Sequence, residues 1–151
     1  MRKIIASLLL ILTIGCAGYE PIFSSKNFDF FIIEIKIPND DKISKKLGKK
    51  LQSYMSKDDA KKAYSLKIIS NKEEKIVSRD TKGDPLIYEL EIVSNIEVIL
   101  EDNRTTKLDF SEKFTFNNDS NKFALSQYRK TIEQNLINNI YEKLIIRMQT
   151  L

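Results

Sequence analysis

The sequence predicts an α+β fold, a two-layer sandwich in which a four-stranded mixed sheet carries two helices on one face in the order β-α-β-β-β-α. Three observations predict it. Four segments alternate apolar and polar residues with a period of two, two others repeat apolar residues every three or four positions, and the last three strands are joined by short turns while a helix separates the first two. With 151 residues, 42% hydrophobic and 30% charged, the chain has room for one core and not two.

Phe28 to Ile37 reads as the first strand, with Phe31, Ile33, Ile35 and Ile37 on one face and Glu34 and Lys36 on the other; Pro38 stops it. Asn39 or Asp40 is placed to cap a helix over about 40–55, where Ile43, Leu47, Leu51 and Tyr54 share a face. After the charged stretch Lys57 to Lys62, a second strand alternates Tyr64, Leu66 and Ile68 and runs toward Val77. Asp80-Thr81-Lys82-Gly83-Asp84-Pro85 has hairpin chemistry, since Gly83 tolerates positive φ and Pro85 restricts the exit. The third strand sets Tyr88, Leu90, Ile92, Ile96, Val98 and Leu100 against Glu89, Glu91, Asn95 and Glu97. A turn at Glu101 to Arg104 leads into a fourth, with Leu108, Phe110, Phe114 and Phe116 on a single face. The break Asn117 to Asn121 offers caps for a closing helix over about 122–148. Its apolar line is Ala124, Tyr128, Ile132, Leu136, Ile140, Leu144 and Met148, joined by Ile137, Tyr141 and Ile145. A helical connection between the first two strands favours a parallel, right-handed crossover, and the short turns make the other three an antiparallel meander.

The N-terminus follows different rules. Arg2 and Lys3 precede an uncharged apolar run from Ile4 to Ile14, too short against the roughly 20 residues of a membrane-spanning helix and typical of a signal peptide. The run ends in Thr13-Ile14-Gly15-Cys16, which resembles a lipobox, although Thr13 stands where leucine is usual. On that reading residues 1–15 are removed, 16–27 form a lipidated tether containing Gly18, Pro21, Ser24 and Ser25, and 28–151 form a single periplasmic domain. Cys16 carries covalent lipid such as palmitate, and Ala17 after it resembles the sorting pattern of outer-membrane lipoproteins in enteric bacteria. The alternative is an ordinary secretory peptide followed by a free cysteine. Three acyl chains, each burying methylenes at about 0.8 kcal/mol apiece, would anchor the protein far more firmly than one.

Composition excludes several functions. There is no histidine, which removes His-based hydrolysis and the common zinc sites, and the single cysteine leaves no disulfide. No phosphate-cradling glycine loop or calcium loop is present. Processing removes two of the 25 basic residues, leaving 23 against 21 acidic ones, a net of +2 that gives no case for nucleic acid. Glu89 and Glu91 on one strand face, or the adjacent Glu73 and Glu74, would be the only basis for carboxylate catalysis, against their ordinary reading as solvated strand residues. No enzyme activity is expected, and no cofactor beyond the lipid. Lys42, Lys45, Lys46, Lys49 and Lys50, with Lys57, Lys61 and Lys62, form either a basic face for lipid phosphates or a solvated helix face. Arg79 and Lys82 at the first hairpin are a smaller basic cluster, and Phe28, Phe30 and Phe31 are either a contact surface or strand packing.

The lipobox followed by Gly18-Tyr19-Glu20-Pro21-Ile22-Phe23, the strand and helix order, and the Asn/Ser-rich break before a long helix with Ile132, Leu136, Ile140 and Leu144 together resemble the LPS-assembly lipoprotein family, LptE, of Gram-negative bacteria. The resemblance in layout spans nearly all of the chain after Cys16. It implies a lipid-anchored protein on the periplasmic side of the outer membrane. Such a protein plugs and helps assemble an LptD-like β-barrel and binds lipopolysaccharide during delivery to the cell surface. It also implies lipid-phosphate contacts at the hairpin, where Arg79 and Lys82 stand. The other reading is a structural lipoprotein of a different envelope complex.

Overall fold

The computed structural model describes residues 29–55 and 62–151. The expected signal peptide, Cys16 and the tether lie outside the described residues, as do Phe28, Lys57 and Lys61. The elements are β1 (Phe30–Lys36), α1 (Lys42–Leu51) with a 3-10 turn over Gln52–Tyr54, β2 (Lys62–Arg79), β3 (Pro85–Leu100), β4 (Thr105–Asn117) and α2 (Lys122–Gln149). The sheet runs β1-β2-β3-β4, with β1 parallel to β2 and the other pairs antiparallel. Both helices lie on one face, so the two-layer order expected from the pattern is the one observed.

β1 corrects the expected burial. Phe30 and Ile32 are in the core, while Ile33 is 55% exposed. The cause is a bulge: Ile32 is opposite Tyr64 and Glu34 opposite Ser65, leaving Ile33 as an extra residue. One inserted residue reverses the parity of a strand, so Phe30 and Ile32 point inward before it and Ile35, opposite Leu66, does so after it. The Phe30 ring stacks on Tyr54 at 5.4 Å and tilts against Tyr64 at 5.7 Å, closing the core beneath the end of α1.

The cap of α1 is Asp41 and neither Asn39 nor Asp40; its carboxylate accepts from the Ser44 amide at 2.7 Å. Asp40 has φ of 52°, the left-handed region, and donates its N–H to Ile37 O at 3.4 Å to close the turn after β1. A capping residue needs extended backbone, which Asp41 has at φ −71° and ψ 150°. Ile43, Leu47, Leu51 and Tyr54 are all buried as expected. Gly48 lets α1 approach β1 closely, since a Cβ there would lie 3.3 Å from Ile37 Cδ1 and 3.6 Å from Ile35 Cγ2.

α2 is capped by Asn121, whose side-chain oxygen accepts from Ala124 N at 3.0 Å. The buried stripe contains Ile132, Leu136, Ile137, Ile140, Leu144, Ile145 and Met148, but it starts at Leu125, while Ala124 and Tyr128 are exposed. The reason is angular. A line of four-residue steps drifts about 40° per step, so traced back from Ile132 it carries Tyr128 and Ala124 away from the side on which Leu136 and Ile140 are buried, whereas Leu125, seven back, falls about 20° toward that side. In β4, Phe116 is buried, packed between the Tyr88 and Tyr128 rings, whereas Phe114 on the same face is exposed. Between β2 and β3 a buried Ser70–Ser94 hydroxyl pair at 2.9 Å satisfies both polar groups without charge.

Register places the landmarks at two ends. Phe30, Lys62, Leu100, the turn at residues 101–104 and the C-terminus lie at one end, where Tyr64 donates its hydroxyl to Met148 O at 3.3 Å. The hairpin turn, Asn118 and the start of α2 lie at the other, tied by Asn118 N donating to Leu86 O at 2.8 Å. β1 pairs with β2 only over Lys62–Lys67, so α1 and β1 cover one half of the sheet and α2 crosses its whole length.

Candidate functional site

The face of the sheet turned away from the helices has no described element over it and is laced by cross-strand polar contacts. Lys67 meets Glu97 at 3.0 Å, Asn95 meets Asp109 at 2.7 Å, and Ser111 donates to Glu91 at 2.8 Å. Lys75 lies 3.5 Å from both Glu73 and Glu91, and Lys113 lies 3.6 Å from Glu89. Such exposed pairs contribute little stability, because water screens them and holding two long side chains together costs entropy. Their consequence is a sheet face on which Lys67, Lys75, Lys113, Glu73, Glu89, Glu91, Glu97 and Asp109 each have a polar neighbour.

This arrangement bears on carboxylate chemistry. The Ser111 hydrogen bond, assisted by Lys75, outweighs partial desolvation and holds the Glu91 carboxyl below its ordinary value. A general acid needs the opposite shift. Glu74 is paired with Arg129 at 2.8 Å. Among the described residues no group of three or more Asp, Glu, His or Cys is placed to hold a metal ion, and no helix is long and apolar enough to cross a membrane.

Arg79 and Lys82 do share the exposed hairpin tip. The turn is built on Asp80, whose carboxylate accepts from the Lys82 and Asp84 amides, each at 2.8 Å, with Gly83 at φ 89°. Arg79 folds back so that Nη1 donates to Gly83 O at 2.8 Å. Two aspartates therefore stand among the two cations, and the tip has no net charge. The lysines of α1 do not form one free basic face: Lys45 pairs with Asp40 at 2.7 Å, Lys46 binds Glu133, and Lys50 lies over the Tyr141 ring at 5.5 Å. Phe30 is core and Phe31 half-buried.

Two side chains that pattern reading passed over matter more. Glu133 is buried in the α2 stripe and accepts hydrogen bonds from Lys46 on α1 and from Lys72 on β2, the latter at 2.7 Å. Burial alone would raise its carboxyl, but the hydrogen bonds and charges of Lys46 and Lys72 prevail and hold it low. One turn earlier, the Arg129 guanidinium lies 4.8 Å from the Tyr88 ring and 5.7 Å from Phe116 while pairing with Glu74. The signal was available: Leu125, Arg129, Glu133 and Ile137 recur at four-residue spacing, so two charges sit inside an apolar line.

No protein-family model and no curated protein sequence matches this chain. Solved structures do. The rare lipoprotein B of Shewanella oneidensis superposes with a TM-score of 0.59 at 13% identity, covering 78% of this chain and 94% of the other. A lipoprotein B of Nitrosomonas europaea gives 0.59 at 12%, covering 87% and 90%, and a minor lipoprotein of Acinetobacter baumannii gives 0.58 at 11%, covering 82% and 92%. At such identities the shared property is the backbone architecture, and this chain has the two-layer α+β fold of these bacterial lipoproteins.

Proposed function

We propose that the chain is an outer-membrane lipoprotein of the LPS-assembly lipoprotein family, lipid-anchored through Cys16 on the periplasmic side, which plugs and helps assemble an LptD-like β-barrel and binds lipopolysaccharide in transit. The observation that carries this reading is the open sheet face. It is wide, polar and pre-paired in charge, backed by a core sealed under two helices, on a fold that known bacterial lipoproteins share. The interior of a membrane β-barrel is itself polar and hydrated, so a plug must meet it through hydrogen bonds and orienting charges, which such a face supplies. Within this reading Arg79 and Lys82 contact lipid phosphates at the hairpin tip.

The test is purification of the tagged full-length chain from membranes in mild detergent. An outer-membrane barrel protein recovered in stoichiometric amount supports the plug role; its absence, or recovery of a different envelope complex, replaces that role with structural membership of the other complex. Labelled palmitate entering the wild-type chain but not a Cys16→Ser variant tests the anchor. The R79E/K82E pair should weaken retention of lipopolysaccharide without changing barrel recovery.

A further inference from the structure

β4 is the open edge of the sheet. Its 13 residues keep an unbroken register with β3 up to Asn117, without bulge or proline, and among the described residues no strand pairs on its outer side. β1, by contrast, is seven residues long and bulged at Ile33, and short length and bulges both stop an edge from pairing with another chain. In an antiparallel ladder, residues that exchange both backbone bonds with the neighbouring strand alternate with residues that turn N–H and C=O away from it. Leu100 N donates to Arg104 O at 2.9 Å and Asn118 N to Leu86 O at 2.8 Å, so the even-numbered residues of β4 bond to β3. The odd-numbered ones, Lys107, Asp109, Ser111, Lys113 and Thr115 among them, turn their backbone groups outward.

Side chains along this edge are complementary about the middle of the strand, Ser111. On the open sheet face Asp109 and Lys113 stand at equal distances before and after it, both exposed. Asp109 accepts from Asn95 through Oδ1 and keeps Oδ2 for another donor. On the helix face Leu108 and Phe114 are likewise equally spaced from Ser111. Phe114 is 45% exposed, while Leu108, Phe110 and the half-exposed Ile146 of α2 floor a groove of about 660 Å³. One end of the edge thus offers an uncovered ring and the other an apolar hollow.

We propose that two copies of this chain pair antiparallel through β4, in the register that sets Ser111 opposite Ser111 of the second copy, so that one sheet runs through both. Odd-numbered residues then stand opposite odd-numbered ones, and the outward N–H and C=O groups from Thr105 to Asn117 meet over the whole strand. On the open face Asp109 of each copy stands opposite Lys113 of the other, and directly opposed unlike charges stabilise a pair of strands while like charges destabilise it. On the helix face Phe114 of each copy enters the groove over Leu108 of the other. Both contacts occur twice by the twofold axis, as in an isologous dimer. Neighbouring registers lack this match: centring the pair on Phe110 sets Lys107 against Lys113, and centring it on Glu112 sets the two Glu112 side chains together. The axis stands perpendicular to the sheet, so the α2 helices of the two copies run antiparallel and the Arg147 end of one lies toward the Tyr128 end of the other. Lys143 keeps its own Glu112 and takes no part. The proposal goes beyond the barrel-plug reading and does not depend on it.

The test is the association state of the full-length chain in mild detergent with micelles in excess, followed by sedimentation over a range of chain concentrations. The wild type should form dimers as concentration rises. With dimer formation, amide exchange should slow at Lys107, Asp109, Ser111, Lys113 and Thr115, whose even-numbered neighbours β3 already protects. D109K and K113D should each raise the dimer dissociation constant about tenfold or more, since each sets like charges opposite one another at both symmetric positions. An equimolar mixture of the two variants should dimerise again, because the introduced lysine then faces the introduced aspartate and the native pair faces itself. F114S, at an exposed position, should weaken the dimer without lowering the melting temperature, and it keeps the measurement readable should a charge variant not fold. A wild type that stays monomeric over the range, a dimer indifferent to the charge reversals or to F114S, a mixture no better than its components, or exchange that slows along β2 in place of β4 overturns the proposal.

Discussion

Removing the partners of Glu133 should cost far more than removing Glu133 itself. The Glu133 side chain is 11% exposed, whereas Lys46 and Lys72 are 49% and 45% exposed. In E133Q the two ammonium groups turn into water they already touch, and the loss is that of charge-assisted hydrogen bonds, about 1.5–3 kcal/mol. In the K46M/K72M double variant the carboxylate remains under the helices without a counter-charge, and a stranded buried charge costs about 3–5 kcal/mol. Equilibrium unfolding in urea at pH 7 measures both. The pH dependence gives an independent sign. In the wild type the folded carboxyl titrates below its ordinary value of about 4.5, so its contribution is complete above that pH and is lost as the pH falls through the folded value. E133Q should lack this component of acid destabilisation. In the double variant burial alone remains and raises the carboxyl, so stability there should improve as the pH is lowered through the raised value. An E133Q loss equal to or larger than that of K46M/K72M, or a double variant with the wild-type pH slope, would refute the account of Glu133 as a buried charge held by two surface lysines.

Other substitutions test the local geometry by the same unfolding measurement. I32A should cost about 2–5 kcal/mol because Ile32 is fully buried, while I33S should stay within about 0.5 kcal/mol because the bulge turns Ile33 outward. D41A should cost about 1 kcal/mol by freeing the Ser44 amide, whereas D40G should be neutral or slightly stabilising, since glycine adopts φ of 52° without strain. R129A should cost about 1–2 kcal/mol through loss of its stacking on Tyr88 and its pair with Glu74, and fluorescence of Tyr88 should report the change.

The secondary structure was legible because its signals are local. Tyr64, Leu66 and Ile68, or Ile43, Leu47 and Leu51, identify a strand and a helix by spacing alone, and turn residues such as Asp80 and Gly83 mark where the chain reverses. The proposed site was legible only in outline. Arg79 and Lys82 were found together at a tip, but Asp80 and Asp84 folding among them is a property of the turn's hydrogen bonds. Likewise the lysines of α1 form a basic line in the sequence, yet Lys46 reaches across to Glu133, 87 positions away, and Lys50 to the Tyr141 ring.

The sequence by itself determined the element order, the mixed sheet and the inward face of each long strand, since side-chain direction follows from backbone period once apolar residues must leave water. Tertiary structure decided the parity of β1, the start of the buried line on α2, the partners of Glu133 and Arg129 and the openness of the β4 edge among the described residues. These depend on what stands opposite each residue in space. A bulge, a crossing helix or a missing neighbouring strand changes that without changing the local pattern.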